Sequence, residues 1–122
     1  MTTFLQQGPI GQGIANIAVA ANVAVKWHTT AGQVVVAGVG DIPIGVTMDA
    51  YAAGAEVSFY RWGQGHEFYI SCAGVSAGDY VKCGAAGALV QEGTATVVTA
   101  ATVGQAKTAS DSANCILVSA SR

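Results

Sequence analysis

The sequence predicts an all-β fold, a compact sandwich or barrel built from two similar half-repeats, with an extended N-terminal arm. Three observations predict it. From Ile14 onward the chain reads as short β-branched runs punctuated by Gly, Asn and Asp. No window of about 12 residues sustains a 3.6-residue apolar stripe, and the recurrent Gly and β-branched residues oppose helix. Finally, residues 14–26, IANIAVAANVAVK, align without gaps on residues 70–82, ISCAGVSAGDYVK, an internal repeat at an offset of 56 residues.

Each element follows in order. Residues 1–13 hold Gly8, Pro9, Gly11 and Gly13 among glutamines, which interrupts any regular element, so they read as an arm with apolar anchors at Phe4, Leu5 and Ile10. Residues 14–122 form one β domain with half-repeats of about 14–69 and 70–122. Ala21-Asn22 and Ala77-Gly78-Asp79 are turns, each leading into a strand that ends at Lys26 or Lys82. Thr30-Ala31-Gly32 and Ala85-Ala86-Gly87 are hairpin turns before strands at 33–37 and 88–91. Pro43 opens the strand 44–48, at a position where its missing N–H is tolerated. Ala53-Gly54 turns into the strand 55–61, whose period-2 alternation puts Ala55, Val57 and Phe59 on one face. Gly63-Gln64-Gly65 then closes a hairpin onto 66–70. The repeat places Ile14 over Ile70, Val25 over Val81 and Lys26 over Lys82, then Gly45 over Gly104, with Glu56-Val57-Ser58 near Leu117-Val118-Ser119.

At 122 residues the chain suits a single domain. Only 10% of its residues are charged and 52% are apolar, with a mean hydropathy of +0.45. A surface so poor in charge calls for contact with other subunits or partners, so a homo-oligomer, a trimer or a dimer, is expected. The net charge of −2 and the lack of any Lys or Arg run exclude a nucleic-acid surface. The longest apolar stretch, residues 14–25, is too short for a bilayer, which takes about 20 residues, so no membrane partner is expected. The first seven residues lack the basic segment and apolar core of a signal peptide, which implies synthesis in a cytoplasm.

Little in the sequence speaks for chemistry. Cys72, Cys83 and Cys115 are odd in number and lack CxxC spacing, which suits reduced, buried thiols. A metal site would need His28 or His66 to join them without any supporting motif. The acidic residues are scattered singly, and no Walker A loop, GxSxG elbow or HExxH helix occurs. No catalytic, cofactor or metal residue is assigned, and a non-enzyme is expected. The one candidate binding cluster is the aromatic Tyr60, Trp62, Phe68 and Tyr69, with Trp27 and the polar Arg61, Gln64, His66 and Glu67.

The stretches Asp41-Ile42-Pro43-Ile44-Gly45-Val46, Ala53-Gly54-Ala55-Glu56-Val57, Ser76-Ala77-Gly78-Asp79-Tyr80-Val81-Lys82 and Val103-Gly104-Gln105-Ala106 resemble the capsid cement or head-decoration family of tailed phages. The resemblance covers roughly residues 14–120. It implies a β-rich protein, made in the host cytoplasm, that binds the major capsid protein on the outside of the head and bridges neighbouring capsomers. The aromatic segment 60–69 and the three cysteines depart from that pattern. The alternative function is a carbohydrate-binding or adhesin-like β module on a virion, using Trp27, Tyr60 and Trp62.

Overall fold

The computed structural model of the chain describes residues 10–92, 98–109 and 115–121. The fold is all-β, and its strands form two closed five-stranded sheets. The first contains β1 (Ile10–Ala15), β2 (Ala24–Trp27), β3 (Gln33–Val36), β4 (Gly45–Thr47) and β5 (Glu56–Arg61). The second contains β6 (Glu67–Ala73), β7 (Tyr80–Cys83), β8 (Leu89–Gln91), β9 (Thr102–Ala106) and β10 (Cys115–Ala120), with one 3-10 turn at Ala85–Gly87. The cyclic order in the first barrel is β1-β3-β2-β4-β5, and in the second β6-β8-β7-β9-β10. These orders are the same, with β1 replaced by β6 and so on through β5 and β10. Among the described residues the only parallel pairing in either barrel joins the first strand to the third. Closure satisfies backbone groups that an open sheet would leave at its edges.

The repeat is therefore real, and the pairing registers correct it in detail. Lys26 pairs with Val35 as Lys82 pairs with Val90, and Val25 faces Gly45 as Val81 faces Gly104, both as the sequence predicts. In β1 the alignment slips by one residue. Ala15 faces Val34 as Cys72 faces Leu89, so the counterpart of Ile70 is Gly13 and not Ile14. A one-residue slip exchanges the two faces of a strand, which is why Ile14 is 37% exposed while Ile70 is fully buried. In the last strands Gly11 faces Phe59 as Phe68 faces Val118, which matches Phe59 to Val118 rather than Val57 to Val118.

Two boundaries move as well. Ile10–Gly13, expected in the arm, are strand β1, and the second barrel begins at Glu67. Gly63–Gly65 is a turn, with the His66 N–H donating to the Gly63 carbonyl at 2.9 Å, but it closes no hairpin. Strand β5 pairs with β1 and β4, and β6 pairs with β10 and β8, so this turn carries the chain from one barrel to the other.

Local chemistry explains the remaining turns. Asn22 (φ 56°) and Gly78 (φ 88°) occupy the left-handed region at equivalent turns, a conformation those residue types tolerate. Each barrel also carries one ion pair from its second strand to the connection after its third. Lys26 binds Asp41 at 2.7 Å and Lys82 lies 3.8 Å from Glu92. The Lys26 hydrogen bond, reinforced by the Gly38 N–H, holds the Asp41 carboxyl below the usual carboxylate range.

The two barrels share a core. Ala24, Ala37 and Val46 of the first belong to one buried cluster with Phe68, Ile70, Leu89 and Val103 of the second, and Tyr60 and Trp62 pack against it. Backbone bonds cross the junction from the Ser71 N–H to Asn22 O (2.8 Å) and from the Gly87 N–H to Ala37 O (2.9 Å). The interior of the first barrel is a smaller cluster of Ala15, Val19, Val25, Val34, Val57 and Phe59. Strand β5 supplies Val57 and Phe59 to it, as the alternation predicts.

Cys72 and Cys83 are both buried, and Cys83 is a free thiol. Both pair with Leu89, from opposite sides of β8, so two strand spacings, roughly 10 Å, separate them. A disulfide needs Cα atoms within about 7 Å. Burial, with the Asp41 charge adding to it, pushes the Cys83 thiol up to about 11. Because the folded value lies above the unfolded one, the stabilisation is complete below pH 9 and is lost as pH rises through 11. Urea midpoints should therefore fall between pH 9 and 11, and Cys83→Ala should flatten that limb. Against a disulfide reagent at pH 8 the Cys83 thiol should stay silent until the chain unfolds; rapid labelling of folded protein at this residue would contradict the assignment.

Candidate functional site

Alternation along two strands builds the site at one end of the first barrel. The interior row Ala15–Val34–Trp27 runs across β1, β3 and β2. Its last member emerges at the barrel mouth, where Trp27 is 49% exposed. Its ring meets that of Phe59 edge-on, with centroids 6.0 Å apart and planes at 81°. On β5 the inward face carries Val57, Phe59 and then Arg61, which stands at the same mouth and is exposed. Together Trp27, Ile44, Phe59, Arg61 and Trp62 line a cleft of about 250 Å³.

Trp62 is the wall toward the second barrel. It stacks on Phe68 at 4.9 Å and 19°, and its Nε1–H donates to the Val103 carbonyl at 3.3 Å. His66 sits edge-on to the same Phe68 ring at 6.5 Å, its Nδ1 lying 3.2 Å from the Arg61 carbonyl oxygen. Trp62 and His66 thus organise the junction between the barrels, and Trp62 also borders the cleft.

The electrostatics are uneven. Lys26, Lys82 and Lys107 each pair with a carboxylate, the last with Glu67. Arg61 has no such partner among the described residues. The cleft thus combines indole and phenyl surface with one cation that has no ion-pair partner among the described residues.

The structure divides the aromatic cluster read from the sequence. Trp27 and Trp62 share the cleft. Tyr60 faces the other way, paired with Val46 and with the exposed Ile10, and lines a separate groove of about 210 Å³ with Val46, Met48, Phe68 and Tyr69. Phe4 and Leu5 lie outside the described residues. Ile44 as a lining residue was not legible in the sequence, since nothing in a linear pattern reveals which end of a barrel stays open. Arg61, read from the sequence as a polar neighbour of the aromatic residues, follows Val57 and Phe59 on the inward face of β5. No group of three or more His, Cys, Asp or Glu that could hold a metal occurs among the described residues.

Two closed five-stranded barrels of identical strand order, fused through a common core, define the chain as a tandem β-barrel protein. No protein-family model matches it, and no curated protein matches it by sequence. The same fold occurs in the N base of the head fiber protein gp8.5 of bacteriophage phi29, with a TM-score of 0.77 and 14% sequence identity over 93% of each chain. At that identity the likeness carries the fold.

Proposed function

We propose that this chain is a structural protein of a phage virion that binds the outer surface of the capsid and stabilises it by bridging neighbouring capsomers. The observation that carries the reading is the fold, a tandem barrel shared over 93% of both chains with the base of a fiber on a phage head. The motif resemblance to head-decoration proteins points to the same surface from the sequence side.

The physical properties suit such a task. Closed barrels present rigid faces with satisfied backbones, and bracing a shell requires stiffness and contact area, not chemistry. Ile10, Ile17, Val39, Ile42 and Tyr69 are between 44% and 72% exposed, apolar surface that contacts with the major capsid protein or with further copies of this chain would cover. A dimer or trimer would multiply such contacts, so that individually modest ones act together. In the proposal Phe4 and Leu5 add anchors from residues 1–9.

Purified protein should co-sediment with expanded, DNA-free heads and raise the temperature at which those heads disassemble. Binding without any rise would reduce the role to attachment and remove the bridging claim. Absence of binding to heads at micromolar concentrations would remove the capsid reading altogether.

A further inference from the structure

The two barrels serve as internal controls for each other, and they differ most at the mouth of the first. The registers match Trp27 to Cys83, which is fully buried, and Arg61 to Ala120, which is 4% exposed. They also match Gly11 and Gly13 to the buried Phe68 and Ile70. At the two positions where the second barrel has these large apolar side chains, the first has glycine, and the rings of Phe59 and Trp27 lie against Gly11 and Gly13. The first barrel thus holds a cleft of about 250 Å³ lined by two tryptophans and by an arginine that has no ion-pair partner among the described residues, where the matched Cys83 and Ala120 of the second barrel are buried. The barrel design does not require this arrangement, because the second barrel carries buried Cys83 and Ala120 at the positions matched to Trp27 and Arg61.

We propose that this cleft is a binding site for an anionic saccharide, holding one pyranose ring that bears a carboxylate. The volume lies just below the roughly 300–1,000 Å³ of sites for larger ligands, and so suits one ring. Indole surface at Trp27 and Trp62 offers an apolar platform for the C–H face of a sugar, and its amphipathic character matches a ligand that is half apolar and half polar. The Arg61 guanidinium presents a planar fork that fits a carboxylate through two parallel hydrogen bonds. A nucleic acid is disfavoured, because it brings a charge at every nucleotide and meets here one arginine on a chain of net charge −2. The site does not depend on the capsid reading, and its test is separate from head binding.

The chain has two tryptophans and both line the cleft, so intrinsic fluorescence reports occupancy directly. The full chain would be titrated with a glucuronate-containing oligosaccharide, a hyaluronan tetrasaccharide, and with a neutral N-acetylglucosamine tetramer. The expected result is a saturable emission change with the acidic sugar and an affinity at least about tenfold weaker for the neutral one. Arg61→Gln should weaken acidic-sugar binding by roughly 10- to 100-fold, the range of a hydrogen bond to a charged group. Because Arg61 is exposed, that variant should keep the wild-type urea midpoint and the same head co-sedimentation. Trp27→Ala, followed by calorimetry, should lose a comparable factor. No saturable change at millimolar sugar would overturn the proposal, as would equal affinity for Arg61→Gln and wild type. If the sugars bind nowhere and Trp27→Ala abolishes self-association or head binding, the cleft is a protein contact and the saccharide site is refuted.

Discussion

Replacing Gly87 with alanine should destabilise the protein by about 2–5 kcal/mol, a large share of the 5–15 kcal/mol that commonly holds a domain together. Gly87 sits at the junction of the barrels with φ +74°, and a Cβ there would lie 2.6 Å from Val36 Cγ2 and 2.7 Å from the Ala24 carbonyl oxygen. Two costs add. The left-handed backbone disfavours any side chain by about 1–2 kcal/mol, and overpacking adds about 1–3 kcal/mol, since a backbone oxygen cannot rotate away. The repeat supplies the control. Gly32 occupies the equivalent turn with φ +77° and nothing within 4 Å of its Cβ position, so Gly32→Ala should show the conformational cost alone. Urea denaturation of both variants measures the difference. Equal losses would mean that the barrels are not packed against each other at Gly87 as described.

The second large effect is expected at Phe59, the bulkiest side chain inside the first barrel, which is 2% exposed. Phe59→Ala should cost about 3–5 kcal/mol through lost burial and the cavity left behind. The ring fits because strands on either side carry no side chain. A Cβ on Gly11 would lie 2.4 Å from Phe59 Cε2, and one on Gly45 would lie 2.4 Å from Phe59 Cδ2. Gly11→Ala alone should therefore cost about 1–3 kcal/mol. In combination with Phe59→Ala it should cost less than the sum, with a coupling of at least about 1 kcal/mol, because the added methyl fills space that the ring vacates. Gly45→Ala should stay costly in the same background, since its Cβ also meets the Tyr60 carbonyl oxygen at 2.4 Å. Strict additivity for Gly11 and Phe59 would place the ring elsewhere. In the second barrel the buried ring stands on the first strand instead, as Phe68.

Much of the architecture was legible in one dimension because strand structure is written in short-range patterns. The alternation of Val57 and Phe59, the turn chemistry of Asn22, Gly32, Gly78 and Gly87, and the matching lysines Lys26 and Lys82 depend on residues within a few positions of each other. Those features determined an all-β chain of two similar halves, and with them most of the strand positions. The registers of the first and last strands were not so determined. Ala, Gly and Ile near residues 10–15 align almost as well one position out, and pairing across the barrel, between residues some 50 apart, selects the alignment that buries Ala15 and turns Ile14 outward.

The glycine turn at 63–65 shows the same division: its local chemistry called for a reversal, but whether the following strand pairs with the preceding one depends on which partners close each sheet. The site was decided at this level too. A sequence marks Trp27, Tyr60 and Trp62 as aromatic without saying that two of them share a cleft while the third points into the groove behind. Only the closed barrel does that, by bringing Trp27 of β2 and Arg61 of β5 to one mouth and leaving a cleft there, while the matched Cys83 and Ala120 of the second barrel are buried.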